Sequence, residues 1–453
     1  MKSSRAGERR SNPVTIRCDV VIAGAGVCGC RLAARLQRLG LDVVLLERSR
    51  FGLSGPHWTN GVDPVALANA AGFFPSEREV HRPGGRIVML SPSAGLRVEL
   101  DSSPLVELDM RQFMRRLRAE CEGVRVFEMA TLEHADFTEH GGVEIGFSAG
   151  PIGTARRKSV KLRAALAVDC TGSRQALAEM HPLRQKLWPP FPPGLTCRAT
   201  QQVRRVKDPE GAKRFCDELE VESSTTVMFS GPWGGWSILN VTVDPSFETV
   251  ELLAGTLCRE GLSGGAGPVR DFLRRQRWIG KALRAGSGRI LLGPPYGRLF
   301  DGGLVLAGES AGHVFPLHGS GVVSSLKAAN FLAEEIEKAR DLHDPELLRR
   351  YAARCAKEFA GFALSSRLVR LLDEIGREGV ERIFEAGIMT PRVLRAGLLQ
   401  KPPFPLRAEL AGAAKLVLSA PHLSGRLLSA AVAGASDVLR TLLHNRHLRF
   451  VKT

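Results

Sequence analysis

Three short stretches of this chain place glycines and acids where a protein could hold a phosphorylated, hydroxyl-rich ligand. The first is Gly24-Ala25-Gly26-Val27-Cys28-Gly29, which follows the apolar run 19–23 and precedes Leu32, Ala33, Leu36 and Leu39 at helical spacing. Between a strand and a helix, the first glycine of G-x-G-x-x-G permits a tight turn, the second lets backbone approach a pyrophosphate, and the third lets the helix pack on the strand. The helix N-terminus adds free N–H donors and a positive dipole end. Gly40 stops the helix, 42–46 reads as the next strand, and Glu47 follows Gly24 at roughly the 20-residue spacing at which an acid takes the hydroxyls of a nucleotide ribose. The second stretch, Asp169-Cys170-Thr171-Gly172, closes the apolar run 166–168. The third runs from Gly308-Glu309 through His313, Pro316, His318, Gly319 and Gly321 into a helix predicted over 322–338. Together they point to a bound dinucleotide. His57, Trp58, Trp236, His313 and His318, in loops or strands beside these stretches, are the candidates for substrate chemistry. Among them only histidine titrates near neutral pH and can deliver a proton.

Alternating strands and helices must carry these residues, so the fold class is α/β. Residues 50–61 read as a long turn-forming loop, 64–74 as a short helix, 85–100 as two half-buried strands, and 108–117 as the start of a basic helix holding Arg111. Further strands are predicted within 124–137 and 142–148. After a proline-rich linker at 188–194, the runs 198–206, 225–231 and 236–244 look like an antiparallel sheet, with Trp233-Gly234-Gly235-Trp236 lying in it. The expected organisation is a disordered basic tail over 1–16, a Rossmann-like nucleotide-binding domain over 17–84, 105–180 and 290–340, an inserted antiparallel-sheet substrate domain over 85–104 and 181–289, and a C-terminal helical region over 341–453.

The 453 residues carry 63 Lys plus Arg against 47 Asp plus Glu, a net charge of +16. Such a field favours acidic partners, either an anionic membrane surface or an acidic electron-donor or carrier protein; an arginine-rich surface without a partner gives the same count, and nucleic acid is not expected. Nine scattered cysteines, odd in number and mostly within apolar stretches, suit a reducing compartment. Cys28-x-Cys30 reads as two small helix residues, and no metal-ligating pattern stands out. The N-terminus has no apolar core of a signal peptide, and no apolar run reaches the ~18 residues of a membrane span. These features predict a cytoplasmic protein. Residues 406–443, apolar but punctuated by Arg407, Lys415, Arg426, Arg440 and Pro421, have the composition of helices that lie in a membrane interface on its inner face or cap a pocket.

In this order the three stretches resemble those of FAD enzymes with the p-hydroxybenzoate hydroxylase-like fold, and within that fold the geranylgeranyl reductase family. The family shows a GAGPAG turn, an arginine at a helix start, an acid-glycine turn, and GDAAG-x-x-x-P-x-x-G-x-G; this chain has GAGVCG, Arg111, DCTG and GESAGHVFPLHGSG, over most of residues 18–375. The resemblance implies FAD as cofactor, with contacts from Gly24, Ala25, Gly26, Cys28, Gly29, Glu47, Arg48, Arg111, Leu132, Asp169, Gly172, Gly308, Glu309, Pro316, Gly319 and Gly321. Two departures bear on substrate. Gly55-Pro56-His57-Trp58 stands where the family has a cysteine-glycine pair, and the family's Y-x-W-x-F-P signature is reduced to Gly234-Gly235-Trp236-Ser237-Ile238-Leu239.

The leading expectation is an FAD-dependent oxidoreductase that reduces carbon–carbon double bonds of an apolar, prenyl-like small molecule. The alternatives are a flavin-dependent monooxygenase acting on an aromatic or polyketide-like substrate and, in another class, a prenyl-chain carrier without redox activity. No second G-x-G-x-x-G is present, so the electron donor, NAD(P)H or ferredoxin, is not written in the sequence.

Overall fold

The computed structural model describes residues 14–138, 142–154, 157–258, 264–339 and 341–401, together with Gly425, Arg426, Ser429, Ala433 and Ser436. Most of the tail and nearly all of 406–443 lie outside the described residues.

Strand β1 (Val14–Ala23) begins inside the segment expected to be a tail, because Val14, Thr15 and Ile16 pair in parallel with 160–162 of a later strand. It leads through the glycine turn into α1 (Val27–Arg38) and β2 (Val43–Leu46). The expected loop 50–61 turns into β3 (Thr59–Val62) at its end, followed by α2 (Pro64–Ala71) and the short strand β4 (Val80–Arg82). Next come β5 (Ile87–Leu90), β6 (Arg97–Leu100), β7 (Val106–Asp109) and α3 (Met110–Ala119), whose N-cap Asp109 accepts from the Arg111 N–H. The strands β8 (Arg125–Phe127), β9 (Thr131–Phe137), β10 (Val143–Ala149) and β11 (Lys158–Asp169) complete this half.

The middle of the chain supplies α4 (Arg184–Leu187), β12 (Thr196–Val206), α5 (Pro209–Glu218), β13 (Thr226–Ser230), β14 (Ser237–Val243), β15 (Thr249–Leu257), α6 (Ala266–Arg275) and the long strand β16 (Ile279–Leu291). The chain then returns to the first sheet through β17 (Phe300–Asp301) and β18 (Leu304–Leu306), and continues into α7 (Val322–Lys338), α8 (Pro345–Glu358), α9 (Gly361–Glu385) and α10 (Pro391–Leu398).

Three sheets form among the described residues. The first runs β17-β18-β11-β1-β2-β8, with β10 and β9 continuing from β11. Its central strands β1, β2, β11 and β18 are parallel and buried on both faces, which is why Val20–Ala23 and Val43–Leu46 are unbroken apolar runs. Trp188, read from the sequence as the start of a proline-rich linker in the substrate domain, is fully buried in this first core. The second sheet runs β16-β12-β15-β14-β13-β5-β6. It is not wholly antiparallel, since β5 lies parallel to β13. One face packs on α5 and α6 through Phe215, Trp278 and Val269; the other faces the site. Trp233 to Trp236 form the turn between β13 and β14 rather than a strand, because Gly234 and Gly235 take φ of +79° and +56°. The third sheet runs β3-β7-β4.

Candidate active site

The glycine turn between β1 and α1 is held by geometry that tolerates no side chain at two of its glycines. Gly24 has φ +98°, and a Cβ there would sit 2.5 Å from the Cys170 carbonyl oxygen; a Cβ on Gly29 would sit 1.9 Å from the Gly24 carbonyl oxygen. Gly26 differs, because a Cβ there meets nothing within 4 Å and the residue opens onto a cavity. Gly26 is the N-cap of α1, which has no side-chain cap and no acid in its first turn, so its leading N–H groups are left for an anion. Glu47 stands at the end of β2 and accepts from Ala25 N–H at 2.9 Å and from Ser49 N–H and Oγ at 2.7 Å each. Arg48 is exposed beside it.

Asp169 holds the second stretch from within. It is fully buried and accepts from Thr171 N–H and Oγ1, Leu177 N–H, Ala178 N–H and Ser310 Oγ, all between 2.7 and 3.0 Å. Its acceptors are spent on pinning two loops, so of these two acids it is Glu309 that lines the cavity. Burial pushes the Glu309 carboxyl up to about 7, against hydrogen bonds from the Leu291 and Ser173 backbone and the nearby Arg289 charge. Gly172 (φ +64°) lies beside it, with room for Glu309 Oε2 where a side chain would be. Gly308, φ +67°, would place a Cβ 2.9 Å from Cys28 Cβ, which sets how closely this loop packs on α1. Gly319, Ser320 and Gly321 line the cavity ahead of α7, whose N-terminus also lacks a side-chain cap and an acid in its first turn.

The cavity measures about 620 Å3 and runs from these turns to an apolar wall. That wall is made by Ile87, Met89 and Met228 of the second sheet and by Val380, Phe384, Leu394 and Leu398 of α9 and α10. The two helices form a roof. Helix α9 breaks at Gly376 (φ +66°), and beyond the break Glu381 is latched to the β5–β6 turn, accepting from Ser91 Oγ and Ser93 Oγ at 2.8 Å and from Ser93 N–H at 2.7 Å.

The structure sorts the predicted site residues. Gly26, Cys28, Trp58, Gly172, Trp236, Glu309, His318, Gly319 and Gly321 all line this one cavity. Trp58 packs against the glycines of β16, where a Cβ on Gly288 would come within 2.2 Å of its ring. His57 is exposed and off the cavity wall. His313 does not border the cavity either: it is fully buried, packs on Phe359 with ring centroids 4.4 Å apart, and neither ring nitrogen has a partner. Burial pushes His313 down to about 3 and His318 to about 4, so both rings are neutral at pH 7 and neither holds a proton to donate as imidazolium. Arg111 pairs with Asp109 at 2.7 Å on the surface, Leu132 sits in β9 opposite Phe147, and Pro316 is buried; none of the three reaches the cavity wall. Sequence reasoning missed Arg289, which donates to the Ser173 carbonyl and lines the cavity beside Glu309, and Gln201, which ties the second sheet to β3 through Thr59 N–H at 2.8 Å. No spacing marks them, because alternation along β12 and β16 becomes a site only when those strands face β3 and the glycine turns.

The residues present fit FAD. Gly26 leaves open space where a pyrophosphate would approach, two uncapped helix N-termini face one cavity, Glu309 lines it, and Glu47 stands behind the glycine turn, bonded to Ala25 N–H.

No family model matches the chain. Digeranylgeranylglycerophospholipid reductase 2 of Methanothermobacter thermautotrophicus is 25% identical over 384 residues, 82% of this chain and 92% of that protein. Among solved structures, a geranylgeranyl bacteriochlorophyll reductase-like protein of Thermoplasma acidophilum superposes with a TM-score of 0.70 at 13% identity, covering 92% of this chain and all of the other. The anhydrotetracycline hydroxylase OxyS of Streptomyces rimosus shares the fold at a TM-score of 0.53 and 18% identity, covering 86% of this chain and 78% of that one. With this site on this fold, the chain resembles the geranylgeranyl reductases and is an oxidoreductase built on the fold of FAD-dependent enzymes.

Proposed function

We propose that this protein uses FAD to reduce carbon–carbon double bonds of an apolar, prenyl-like chain. The observation that carries the reading is one cavity with two chemistries: backbone donors and glycines at one end, Ile, Met, Val, Leu and Phe side chains at the other. Bound FAD would supply the hydride chemistry. The chain's own residues supply position and field. The Gly24–Gly29 turn and the α1 N-terminus would hold the pyrophosphate, Glu47 would take the ribose hydroxyls, and Glu309 would meet the ribitol. The α7 N-terminus would offer its positive dipole end to negative charge on the bound group. The second sheet and the α9–α10 roof exclude water and give a long apolar chain a surface to lie on. Alkene reduction also consumes a proton, and the neutral His313 and His318 do not store it, so it has another source.

The test is spectroscopic. Purified protein should be yellow; after anaerobic reduction, a polyprenyl alkene should reoxidise the flavin without oxygen. Reoxidation that requires oxygen and leaves a hydroxylated product would instead support the monooxygenase. Electron supply from NAD(P)H or an acidic ferredoxin-like carrier, and docking on an anionic membrane, are proposals resting on the net charge of +16. No helix among the described residues is long and apolar enough to cross a membrane. Sedimentation with anionic vesicles at low salt supports the membrane proposal; a protein that stays in the supernatant counts against it.

A further inference from the structure

The roof over the apolar end of the cavity hangs from one flexible point and is fastened at another. Helix α9 changes character at Gly376. Before it, the helix is fixed in the body of the protein: Phe362 packs edge to face on Phe315, Ser365 Oγ accepts from Leu317 N–H at 3.0 Å, and Val369 is fully buried. Gly235 lies so close to this half that a Cβ there would sit 2.8 Å from Asp373 Cα. Of residues 361–375, only Leu372 reaches the cavity wall. Beyond Gly376 the same helix and α10 turn Val380, Ile383, Phe384, Leu394 and Leu398 onto the apolar end. Gly376 itself takes φ +66° and ψ −166°, a region that strains any side chain, and a Cβ there would meet nothing within 4 Å. A glycine in open space serves the backbone and not the packing, so the chain can turn about it without disturbing a neighbour.

The fastening is polar. Arg377 donates to the Pro92 carbonyl, and Glu381 accepts from Ser91 Oγ, Ser93 Oγ and Ser93 N–H, so both side chains grip the β5–β6 turn. Arg377 and Ser93 are exposed, and water can take over their bonds, so the grip releases at small net cost. The apolar contacts of the inner face then draw the segment back. Resting on the reading of the apolar end as the substrate's, we infer that residues 377–398 form a lid that swings about Gly376, is held shut by Glu381 and Arg377 on the β5–β6 turn, and opens to pass an apolar chain. The same apolar face closes over the ligand once it is in, so the lid governs the rate of entry more than the affinity.

Hydrogen exchange and ligand entry test this together. In the wild type, the amides of 377–398 should exchange through one shared opening, faster than those of 361–375. Glu381→Ala should speed exchange of 377–398 about tenfold and leave 361–375 unchanged. It should speed the entry of farnesol by a similar factor, followed by the fluorescence of Trp58 and Trp236 on the cavity wall. Ser93→Ala, which removes one hydroxyl and keeps the N–H bond, should do the same to a smaller extent. Equal protection on both sides of Gly376 in the wild type overturns the inference without recourse to a variant, and so does an entry rate that stays at the wild-type value in both variants. Neither measurement uses the flavin, so the reductase reading survives either failure. A wild type that takes up no farnesol overturns the passage and the reading of the apolar end together.

Discussion

The two ends of the cavity are built in different ways. The nucleotide end is made of backbone: glycines at positive φ, uncapped helix starts and a turn that leaves no room for a Cβ on Gly24 beside the Cys170 carbonyl, drawn from three contiguous stretches. The apolar end is made of side chains from β5, β13, β14, α9 and α10, elements that span residues 87 to 398. Backbone geometry admits few substitutions, whereas a side-chain wall can be repacked as long as volume and polarity are kept. The first end therefore sets what kind of cofactor fits, and the second is free to set which substrate does.

The largest expected effect separates the two ends outright. Gly26→Val should raise the FAD dissociation constant by more than about 100-fold, since a branched side chain would fill the approach to the pyrophosphate, while Tm stays near wild type because nothing lies within 4 Å of its Cβ. Flavin absorbance of the purified variant beside a thermal melt decides this. At the other end, Phe384→Ala should cost about 3 kcal/mol of stability by opening a void under the roof, with FAD affinity unchanged. If flavin titration shows that affinity falls as well, the ends are coupled and the comparison fails.

Glu309 lies on the nucleotide side but answers to pH. Its folded value of about 7 is raised from 4.5, so the folded state holds the proton more tightly than the unfolded chain. Stability from this group is intact below about pH 4.5 and is lost as pH rises through about 7, by up to roughly 3 kcal/mol. Glu309→Gln should flatten that decline in denaturant titrations of the flavin-free protein between pH 5 and 8; an identical slope in wild type and variant would remove the assignment. The smallest effect is expected at Arg111. Its guanidinium sits in a surface pair with Asp109, so Arg111→Ala should change FAD affinity by less than about threefold and stability by less than about 1 kcal/mol. A larger loss of FAD in equilibrium dialysis would place Arg111 in the cofactor site after all.

Legibility followed the same division. Helix α7 spans Val322–Lys338 as its sequence pattern predicts, because apolar periodicity and a glycine start are local signals. The turn at Trp233–Trp236 was misread as strand, since two glycines inside an apolar stretch suit a bulge as well as a turn, and only positive φ at both decides. His313 and His318, five positions apart in one loop, look alike in sequence, yet one is enclosed against Phe359 and the other borders the cavity.

The sequence by itself determined the α/β class, the βαβ unit with its glycine turn and Glu47, and the order of the three nucleotide-facing stretches, because each depends on dihedral freedom and spacing within about 30 residues. Only the tertiary structure decided that Glu309 lines the cavity while Asp169 is consumed within the protein, and that Trp58 and Trp236 line one and the same cavity. Those outcomes depend on which face of a strand is covered and by what, and that is set by packing between segments more than 100 residues apart.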